Sequence, residues 1–293
     1  MPRCQADGIE LEYDTFGDPG APPLLLIAGL GMQMTAWQPD FCDRLARRGF
    51  HVVRYDNRDS GLSTKISDAP KPDLGALLGG DLSSAPYLLK DLAADAIGLL
   101  DGLGVATTHL VGVSMGGMIA QELITRYADR FLSACSIMST TGEATVGRPS
   151  PEAMTALLLP TPPDREAAID RAVNMQNLLT SPGYPQPAEL IRLRATAYYD
   201  RSYSPAGTGR QLAAILASAD RTEALRSVAI PALVIHGDAD PLVNVTGGRA
   251  TAAAIPGARL IEIPEMAHDL PPELWDTVID AIADNAAKAQ PQA

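Results

Sequence analysis

The chain has 293 residues, of which 46% are hydrophobic, and its 35 acidic residues outnumber the 23 basic ones, which gives a formal net charge of -12 at pH 7. A chain of this length can bury a substantial core and forms one large domain, or one domain with an inserted subdomain. Binding to a phosphate backbone needs clustered Lys and Arg, so the acidic balance without any basic run excludes a nucleic-acid partner.

Signals for a membrane or an oxidising compartment are missing from the sequence. No apolar run reaches the roughly 18 residues that a membrane span needs, and the first seven residues lack the hydrophobic core of a signal peptide. We therefore expect no membrane span and a cytoplasmic location. Cys4, Cys42 and Cys135 are odd in number and have no metal-type spacing, which favours incidental thiols over a disulfide framework or a metal site.

Apolar, strand-like runs alternate with helix-like segments along most of the chain, which is typical of an α/β fold. The predicted strands are Ile9–Tyr13, Leu24–Ala28, His51–Tyr55, His109–Val113, Leu132–Met138, Leu233–His236 and Arg259–Ile263. The clearest helix is predicted over Leu88–Leu103, where leucines and alanines form one apolar stripe. A last helix is predicted over Glu273–Lys288.

The alternation stops between Glu143 and Arg226, where proline-punctuated helical patterns occur without a convincing strand. The helices predicted there are Ala153–Leu159, Glu166–Leu179, Ala188–Tyr199 and Gly209–Ala217. We therefore expect a core domain made of residues 1–142 and 227–293, with a helical cap, or lid, inserted at 143–226. A surface decoration without a role at the site is the alternative.

A Gly-x-Ser-x-Gly pattern at residues 112–116 follows a predicted strand and precedes a helix predicted over Met118–Tyr127. This strand, turn and helix context exposes a serine hydroxyl at a sharp turn, where a base can activate it. Gly112 and Gly116 suit the turn because a Cβ at either position would obstruct the approach of strand and helix. The context favours Ser114 as a nucleophile over a purely structural turn.

A serine nucleophile needs a histidine to accept its proton, and the chain offers four histidines. His51 and His109 lie near the starts of predicted strands, at the end of the sheet away from the turn. His236 ends a strand and is interpreted as a histidine satisfied by its surroundings. His268 follows the last strand in a proline-rich loop that can project over the carboxyl ends of the strands, where open α/β sheets form their sites. We predict His268 as the base, with a solvated loop histidine as the alternative.

Two aspartates follow the strand that ends at His236, and either could orient an imidazole and stabilise its charged form. Gly237 permits a turn that carries residue 240 towards the site, and Pro241 stiffens that turn. Asp240 is therefore the predicted acid, and Asp238 is interpreted as a turn or capping residue.

The negative charge of a tetrahedral intermediate needs N–H donors that are already in place. The N–H of Met115, directly after the nucleophile, is one expected donor. The second is expected from Ala28-Gly29-Leu30-Gly31, and we assign it to Leu30. An ordinary glycine-rich turn is the alternative for this loop.

Four stretches of the chain form a specific combination of motifs: residues 50–64, which contain Asp56-Asn57-Arg58-Asp59, and residues 109–116, 231–241 and 258–271. Together they resemble the α/β-hydrolase superfamily across nearly the whole chain, and most of all esterases of the aclacinomycin methylesterase type. The resemblance implies an α/β-hydrolase fold with a mostly parallel central sheet flanked by helices.

The resemblance also implies roles for individual residues. The family's catalytic serine, aspartate and histidine fall on Ser114, Asp240 and His268, and its oxyanion donors fall on Leu30 and Met115. Many relatives carry His-Gly at the oxyanion loop, where this chain has Ala28-Gly29. The segment 56–59 is expected to pair arginine with aspartate and so fix a loop near the site, rather than to contact substrate.

These features predict a carboxylic ester hydrolase, a carboxylesterase or methylesterase, that forms an acyl-enzyme without a metal or an organic cofactor. The apolar, tyrosine-containing segment 143–226 favours a small-molecule ester that is uncharged or aromatic. A serine-dependent carbon–carbon bond hydrolase and a cofactor-free perhydrolase are alternatives on the same fold. The carbon–carbon hydrolase would need Arg192, Arg194 or Arg201 to bind a substrate carboxylate. A non-catalytic ligand-binding protein is the remote alternative.

Overall fold

A single eight-stranded sheet organises the part of the chain that the computed structural model describes, residues 2–6, 8–160 and 162–289. The strands are β1 (Arg3–Ala6), β2 (Ile9–Phe16), β3 (Pro23–Ile27), β4 (His51–Tyr55), β5 (Thr108–Val113), β6 (Phe131–Ile137), β7 (Ala232–Gly237) and β8 (Arg259–Ile263). Their order across the sheet is β1-β2-β4-β3-β5-β6-β7-β8. β2 pairs antiparallel with β1 and β4, and every other neighbouring pair is parallel.

Helices cover both faces of the sheet. They are α1 (Pro39–Arg47), α2 (Leu74–Leu78), α3 (Leu89–Gly102), α4 (Met115–Arg126), α5 (Pro151–Leu158), α6 (Arg165–Leu179), α7 (Ala188–Arg201), α8 (Pro205–Ala217), α9 (Thr222–Leu225), α10 (Thr246–Ala254) and α11 (Trp275–Ala286). Short 3-10 turns lie at Met34–Ala36, Leu82–Ser84, Ala128–Arg130 and Pro272–Leu274. None of the helices in the described ranges is long and apolar enough to cross a bilayer.

The core consists of two apolar layers, one on each side of the sheet. In β3, Leu25 and Ile27 point into the layer formed with α3 and α4, whereas Leu24 and Leu26 point into the layer formed with α1 and α11. Burial on both faces explains why the central parallel strands are apolar almost throughout rather than alternating. The predicted mostly parallel α/β architecture is confirmed.

Several element boundaries differ from those predicted. The helix after Ser114 begins at Met115 rather than at Met118, because Met115 and the two glycines that follow it form its first turn. The last helix is preceded by a 3-10 turn and ends at Ala286, short of the predicted Lys288. β1 was not predicted, since its alternating burial depends on pairing with β2 and not on an apolar run.

Helices α5 to α9 lie between β6 and β7 along the chain, and the described residues of this helical segment, 143–226, contain no strand. The four helices expected there are present with shifted ends. The start of α8 moves to Pro205 because proline suits the first turn of a helix. The helical segment reaches the core through α8, which packs on α2, and through α9, which packs on α10.

Candidate active site

Ser114 occupies the turn between β5 and α4. Its φ of 55° and ψ of -119° are uncommon for a residue with a side chain, and such strain persists only where the surroundings hold it. The Ser114 N–H donates to the carbonyl of Ile137 at 2.9 Å, which ties the turn to the end of β6. The serine is thereby presented at the carboxyl end of the parallel strands.

The two glycines that flank Ser114 permit this turn. A Cβ on Gly112 would lie 2.1 Å from the carbonyl oxygen of Gly116, and a Cβ on Gly116 would lie 2.2 Å from the carbonyl oxygen of Ile27. Both distances are far inside van der Waals contact, and the opposing atoms belong to the backbone. The packing of α4 against β3 and β5 therefore requires glycine at both positions.

His268 lies between Ser114 and Asp240. Its Nε2 is 3.0 Å from Ser114 Oγ, and its Nδ1 is 2.7 Å from Asp240 Oδ2. With Nδ1–H donating to the carboxylate, Nε2 accepts the hydroxyl proton of the serine. Three residues that are far apart in the sequence thus form one continuous hydrogen-bonded chain.

Asp240 is fully buried and accepts several hydrogen bonds. Its Oδ1 accepts the N–H groups of Leu242 and Val243 at 2.8 and 2.9 Å, which closes a tight turn directly after β7. Burial by itself would raise the pKa of Asp240. The neighbouring His268, hydrogen bonds from His236 and His268, and the Val243 N–H outweigh burial and hold that pKa below its ordinary range. The carboxylate is therefore ionised at neutral pH.

His236, which was considered as the base, and Asp238, which was considered as the acid, have local structural roles. His236 is completely buried, and its Nε2–H donates to the carbonyl of Val243 at 2.7 Å. Asp238 accepts the N–H of Glu265 at 2.7 Å and so joins the β7 loop to the loop before His268. The geometry of Asp238 agrees with its interpretation as a turn residue. His236 is satisfied only in part, because its buried Nδ1 has no hydrogen-bond partner among the described residues.

The remaining two histidines stand at the other end of the sheet. His51 is the first residue of β4 and His109 the second residue of β5, whereas Ser114 follows the last residue of β5. The Nδ1 of His109 lies 2.9 Å from Ser133 Oγ. Neither imidazole is placed to act on Ser114.

The loop after β3 runs directly beside the serine. A Cβ on Gly29 would lie 3.2 Å from Ser114 Cβ. In this loop Gly31 N–H donates to Gln211 Oε1 at 2.8 Å and Met32 N–H donates to Gly29, while the described residues provide no acceptor for the N–H of Leu30. Met115 opens α4, where an N–H has no partner within the helix. Both predicted oxyanion donors therefore retain a free N–H near Ser114.

Gln211, which sequence reasoning missed, connects three parts of the site. From α8 its Oε1 accepts the N–H of Gly31, and its Nε2 donates to the carbonyl of Arg58 at 2.7 Å. The side chain is fully buried. A single glutamine on a helix gives no signal in the sequence, because its partners lie more than 150 residues away.

The segment 56–59 is held by ion pairs with partners outside it. Asp56 pairs with Arg201 of α7 and also accepts the N–H of Met34 at 2.7 Å. Asp59 accepts two hydrogen bonds from Arg210 of α8, at 2.9 and 2.6 Å. Arg58 pairs with Asp95 of α3. This pattern agrees with the expected structural pairing, and it anchors α7 and α8 beside the loop that follows β3.

The three arginines considered for a substrate carboxylate have different surroundings. Arg192 is exposed and pairs with Asp170 and Glu166, while Arg201 is paired with Asp56. Arg194 is half-buried, has no carboxylate within ion-pair distance among the described residues, and donates to Gln38 at 3.2 Å. Burial lowers the pKa of Arg194.

The cysteines stand apart from this site. All three are buried and free, and burial raises the pKa of each thiol, that of Cys42 to about 12. Within the described ranges, no three His, Cys, Asp or Glu side chains are grouped so that they could hold a metal ion.

Comparison with known proteins places this geometry in a family. Residues 22–273 match the family model described as the alpha/beta hydrolase fold. The chain is 31% identical to rhodomycin D methylesterase of Streptomyces peucetius, over 94% of each chain, and 30% identical to the enzyme of the same name from another Streptomyces, with the same coverage.

Solved structures show the same architecture. The enol-lactonase of Burkholderia xenovorans superposes with a TM-score of 0.75 at 25% identity, covering 98% of this chain and all of that one. An esterase from a Rhodococcus species superposes with a TM-score of 0.76 at 19% identity, over 99% of each chain, and supports the fold alone. The comparisons confirm the predicted fold and the resemblance to methylesterases, and they agree with the prediction of a carboxylic ester hydrolase. The chain belongs to the alpha/beta hydrolase fold family.

Proposed function

We propose that the protein hydrolyses carboxylic esters through an acyl-enzyme, with Ser114 as nucleophile, His268 as general base and acid, and Asp240 as the residue that orients His268. The observation that carries this proposal is the hydrogen-bonded chain from Ser114 Oγ to His268 Nε2 at 3.0 Å and from His268 Nδ1 to Asp240 at 2.7 Å. The family membership and the two methylesterase relatives support it.

In the first half of the reaction, Ser114 Oγ attacks the ester carbonyl carbon while His268 Nε2 takes the hydroxyl proton. The ionised Asp240 stabilises the imidazolium that forms. The N–H groups of Leu30 and Met115 donate to the oxyanion of the tetrahedral intermediate. The intermediate then collapses, His268 returns the proton to the departing alkoxide, and the alcohol leaves an acyl group on Ser114.

In the second half, a water molecule takes the place of the alcohol. His268 removes a proton from the water as its oxygen attacks the acyl carbon, and the same two N–H groups stabilise the second oxyanion. Collapse expels Ser114 Oγ, which regains its proton from His268. The products are a carboxylic acid and an alcohol, and no metal or cofactor takes part in any step.

The division into a core of residues 1–142 and 227–293 and a cap of residues 143–226 forms part of the proposal. We infer that the cap covers the substrate. Two contacts with the loop after β3 support this: Gln211 accepts the N–H of Gly31, next to Leu30, and the Tyr198 hydroxyl accepts the N–H of Gln33 at 2.8 Å. The methylesterase relatives and the cap, which is neutral overall and contains several tyrosines, support a methyl ester of a larger, uncharged or aromatic molecule as substrate. The cytoplasmic location stays a prediction.

The proposal is tested by the hydrolysis of p-nitrophenyl esters of graded chain length by the native protein and by Ser114→Ala, His268→Ala and Asp240→Asn. We expect Ser114→Ala and His268→Ala to lose at least about a thousandfold in kcat, with residual turnover from the oxyanion donors. Activity that survives in Ser114→Ala at the native level would overturn the serine mechanism. The chain-length profile of the native protein measures the size of the acyl pocket.

A carbon–carbon bond hydrolase is the second candidate, and Arg194 is the observation that favours it. This half-buried guanidinium forms no ion pair with a carboxylate of the described residues, so it is available to form one with a carboxylate of a substrate. Arg192 and Arg201 do not support this candidate, because protein carboxylates already pair with them. Arg194→Gln separates the two functions, since it should impair turnover of a carboxylated diketone and leave hydrolysis of an uncharged ester unchanged.

A further inference from the structure

The loop that carries His268 is hydrogen-bonded to residues 179–183, which we name the strap and which comprise the last residue of α6 and the start of the linker to α7. His268 N–H donates to the carbonyl of Leu179 at 3.1 Å, and Ala267 N–H donates to Ser181 Oγ at 2.8 Å. Gly183 N–H donates to the carbonyl of Glu265 at 3.3 Å. The strap thus bonds to the backbone of the catalytic histidine itself and to residues on its N-terminal side.

Ser181 also contacts the residue on the C-terminal side of the histidine. Its N–H donates to Asp269 Oδ1 at 3.1 Å, and its hydroxyl also donates to that oxygen. The hydroxyl therefore accepts from Ala267 and donates to Asp269, the two residues on either side of His268. Ser181 is fully buried, so bulk water does not compete for these hydrogen bonds in the native protein.

We propose that Ser181 is a positioning residue for His268, and that the cap thereby fixes the catalytic base through the strap. This inference rests on the proposed function. Proton transfer requires His268 Nε2 to stay within hydrogen-bond reach of Ser114 Oγ, and a displacement of about 1 Å can cost on the order of a hundredfold in rate. A hydroxyl that holds both neighbours of the histidine limits such displacement.

Substitution of Ser181 by alanine tests the proposal. We expect kcat of Ser181→Ala for p-nitrophenyl esters to fall at least about tenfold while KM changes less than about twofold, since the base and not substrate binding is disturbed. Ser218→Ala is the matched control: Ser218 also lies in the cap and its hydroxyl accepts a backbone N–H, that of Leu89 at 2.9 Å, but it does not contact the histidine loop. A Ser181→Ala enzyme with the kcat of Ser218→Ala overturns the proposal.

A second pair of variants changes Asp269 and keeps the test valid if Ser181→Ala does not fold. Asp269→Asn retains an oxygen that accepts from Ser181, whereas Asp269→Leu removes it. Both remove a negative charge from beside His268. The other charged or titratable groups around His268 are the carboxylate of Asp240 and, next to Asp240, the buried His236. The guanidinium of Arg194 interacts with the charge of Asp269.

Comparison of these two variants separates the hydrogen bond from the charge. Both variants lose the same charge, so any effect of that charge on kcat is common to the two. Only Asp269→Leu loses the hydrogen bond, so its kcat on the pH plateau should be at least about tenfold below that of Asp269→Asn. Equal plateaus overturn the positioning role.

These outcomes are distinguishable from failure of the proposed function. If Ser114→Ala remains active, the serine mechanism fails whatever the strap does. If Ser114→Ala is inactive and Ser181→Ala retains the native kcat, ester hydrolysis stands and the positioning role of the strap is wrong.

Discussion

The Nε2 of His236 lies 3.4 Å from Asp240 Oδ2, the same oxygen that accepts the hydrogen bond of His268 Nδ1. The carboxylate therefore stands between two imidazoles, one facing Ser114 and one buried at the end of β7. His236 also donates to the carbonyl of Val243, whose N–H donates back to Asp240. His236 thus stabilises the turn that carries Asp240, although it takes no part in proton transfer.

Replacement of His236 by leucine should weaken this turn. Leucine has a comparable volume but donates no hydrogen bond, so the buried carbonyl of Val243 loses its donor at a cost of about 1–3 kcal/mol in the free energy of unfolding. We expect kcat to fall with little change in KM. His236→Gln, which can still donate to that carbonyl, is the matched control, and chemical denaturation with steady-state kinetics measures both effects. Equal stability of the two variants would contradict this account.

Gln211 should support the oxyanion loop. Gln211→Leu removes the acceptor of the Gly31 N–H and the donor to the Arg58 carbonyl, so the adjacent Leu30 N–H is held less firmly. Since a lost oxyanion donor typically costs about a hundredfold to a thousandfold in kcat, a misplaced one should cost about tenfold or more. Steady-state kinetics on a short p-nitrophenyl ester measures the loss. The prediction fails if Gln211→Leu raises KM and leaves kcat unchanged.

Gly116→Ala should prevent the chain from folding correctly, because the added Cβ would meet the carbonyl oxygen of Ile27 at 2.2 Å. Gly209→Ala is the matched control: this glycine lies inside α8 and an added Cβ would meet nothing within 4 Å. Alanine there should raise the free energy of unfolding by up to about 1 kcal/mol, the difference in helix propensity. The soluble yield and the thermal unfolding of both variants measure these effects. A stable Gly116→Ala protein would refute the packing argument.

Asp59→Asn should destabilise the protein in a pH-dependent manner. Burial raises the pKa of Asp59, but hydrogen bonds from Arg210, Tyr87 and the Ile66 N–H outweigh it and hold that pKa below its ordinary value. Because the folded-state pKa is the lower one, the stabilisation is complete above about pH 4 and is lost as the pH falls through the folded-state value. Removal of one partner of this buried pair should cost about 3 kcal/mol at pH 7.

The measurement for Asp59 is the free energy of unfolding between pH 7 and pH 3. The difference between the native protein and Asp59→Asn should be greatest at pH 7 and should narrow in acid. Glu223→Gln is the control, since this glutamate pairs with Arg226 on the open surface and should contribute less than about 1 kcal/mol. A difference for Asp59→Asn that does not change with pH would exclude the ion pair as its cause.

The sequence predicts those parts of the site that follow from a local pattern and from the direction of parallel strands. Ser114 has its motif, and Asp240 and His268 each follow a strand whose carboxyl end lies at the same edge of the sheet as the serine. The catalytic roles of these residues stay predictions. Most strands were also predictable, because a strand buried on both faces is a continuous apolar run.

The contacts that hold the site were not predictable from the sequence. Ser181 lies 86 residues from Ala267, and Gln211 lies 180 residues from Gly31, so their hydrogen bonds follow no local period. The partners of Asp56 and Asp59 were likewise unknown, since the pattern suggested a pairing of arginine with aspartate without indicating that α7 and α8 provide the arginines.

The burial of all three cysteines has a practical consequence for labelling this protein. Thiol reagents attack the thiolate, and at Cys4, Cys42 and Cys135 both access and ionisation are suppressed. A cysteine introduced at the exposed Leu193 of α7 would then react with a maleimide far faster than the native thiols. A fluorophore attached there would report movement of α7 during turnover without prior removal of any native cysteine.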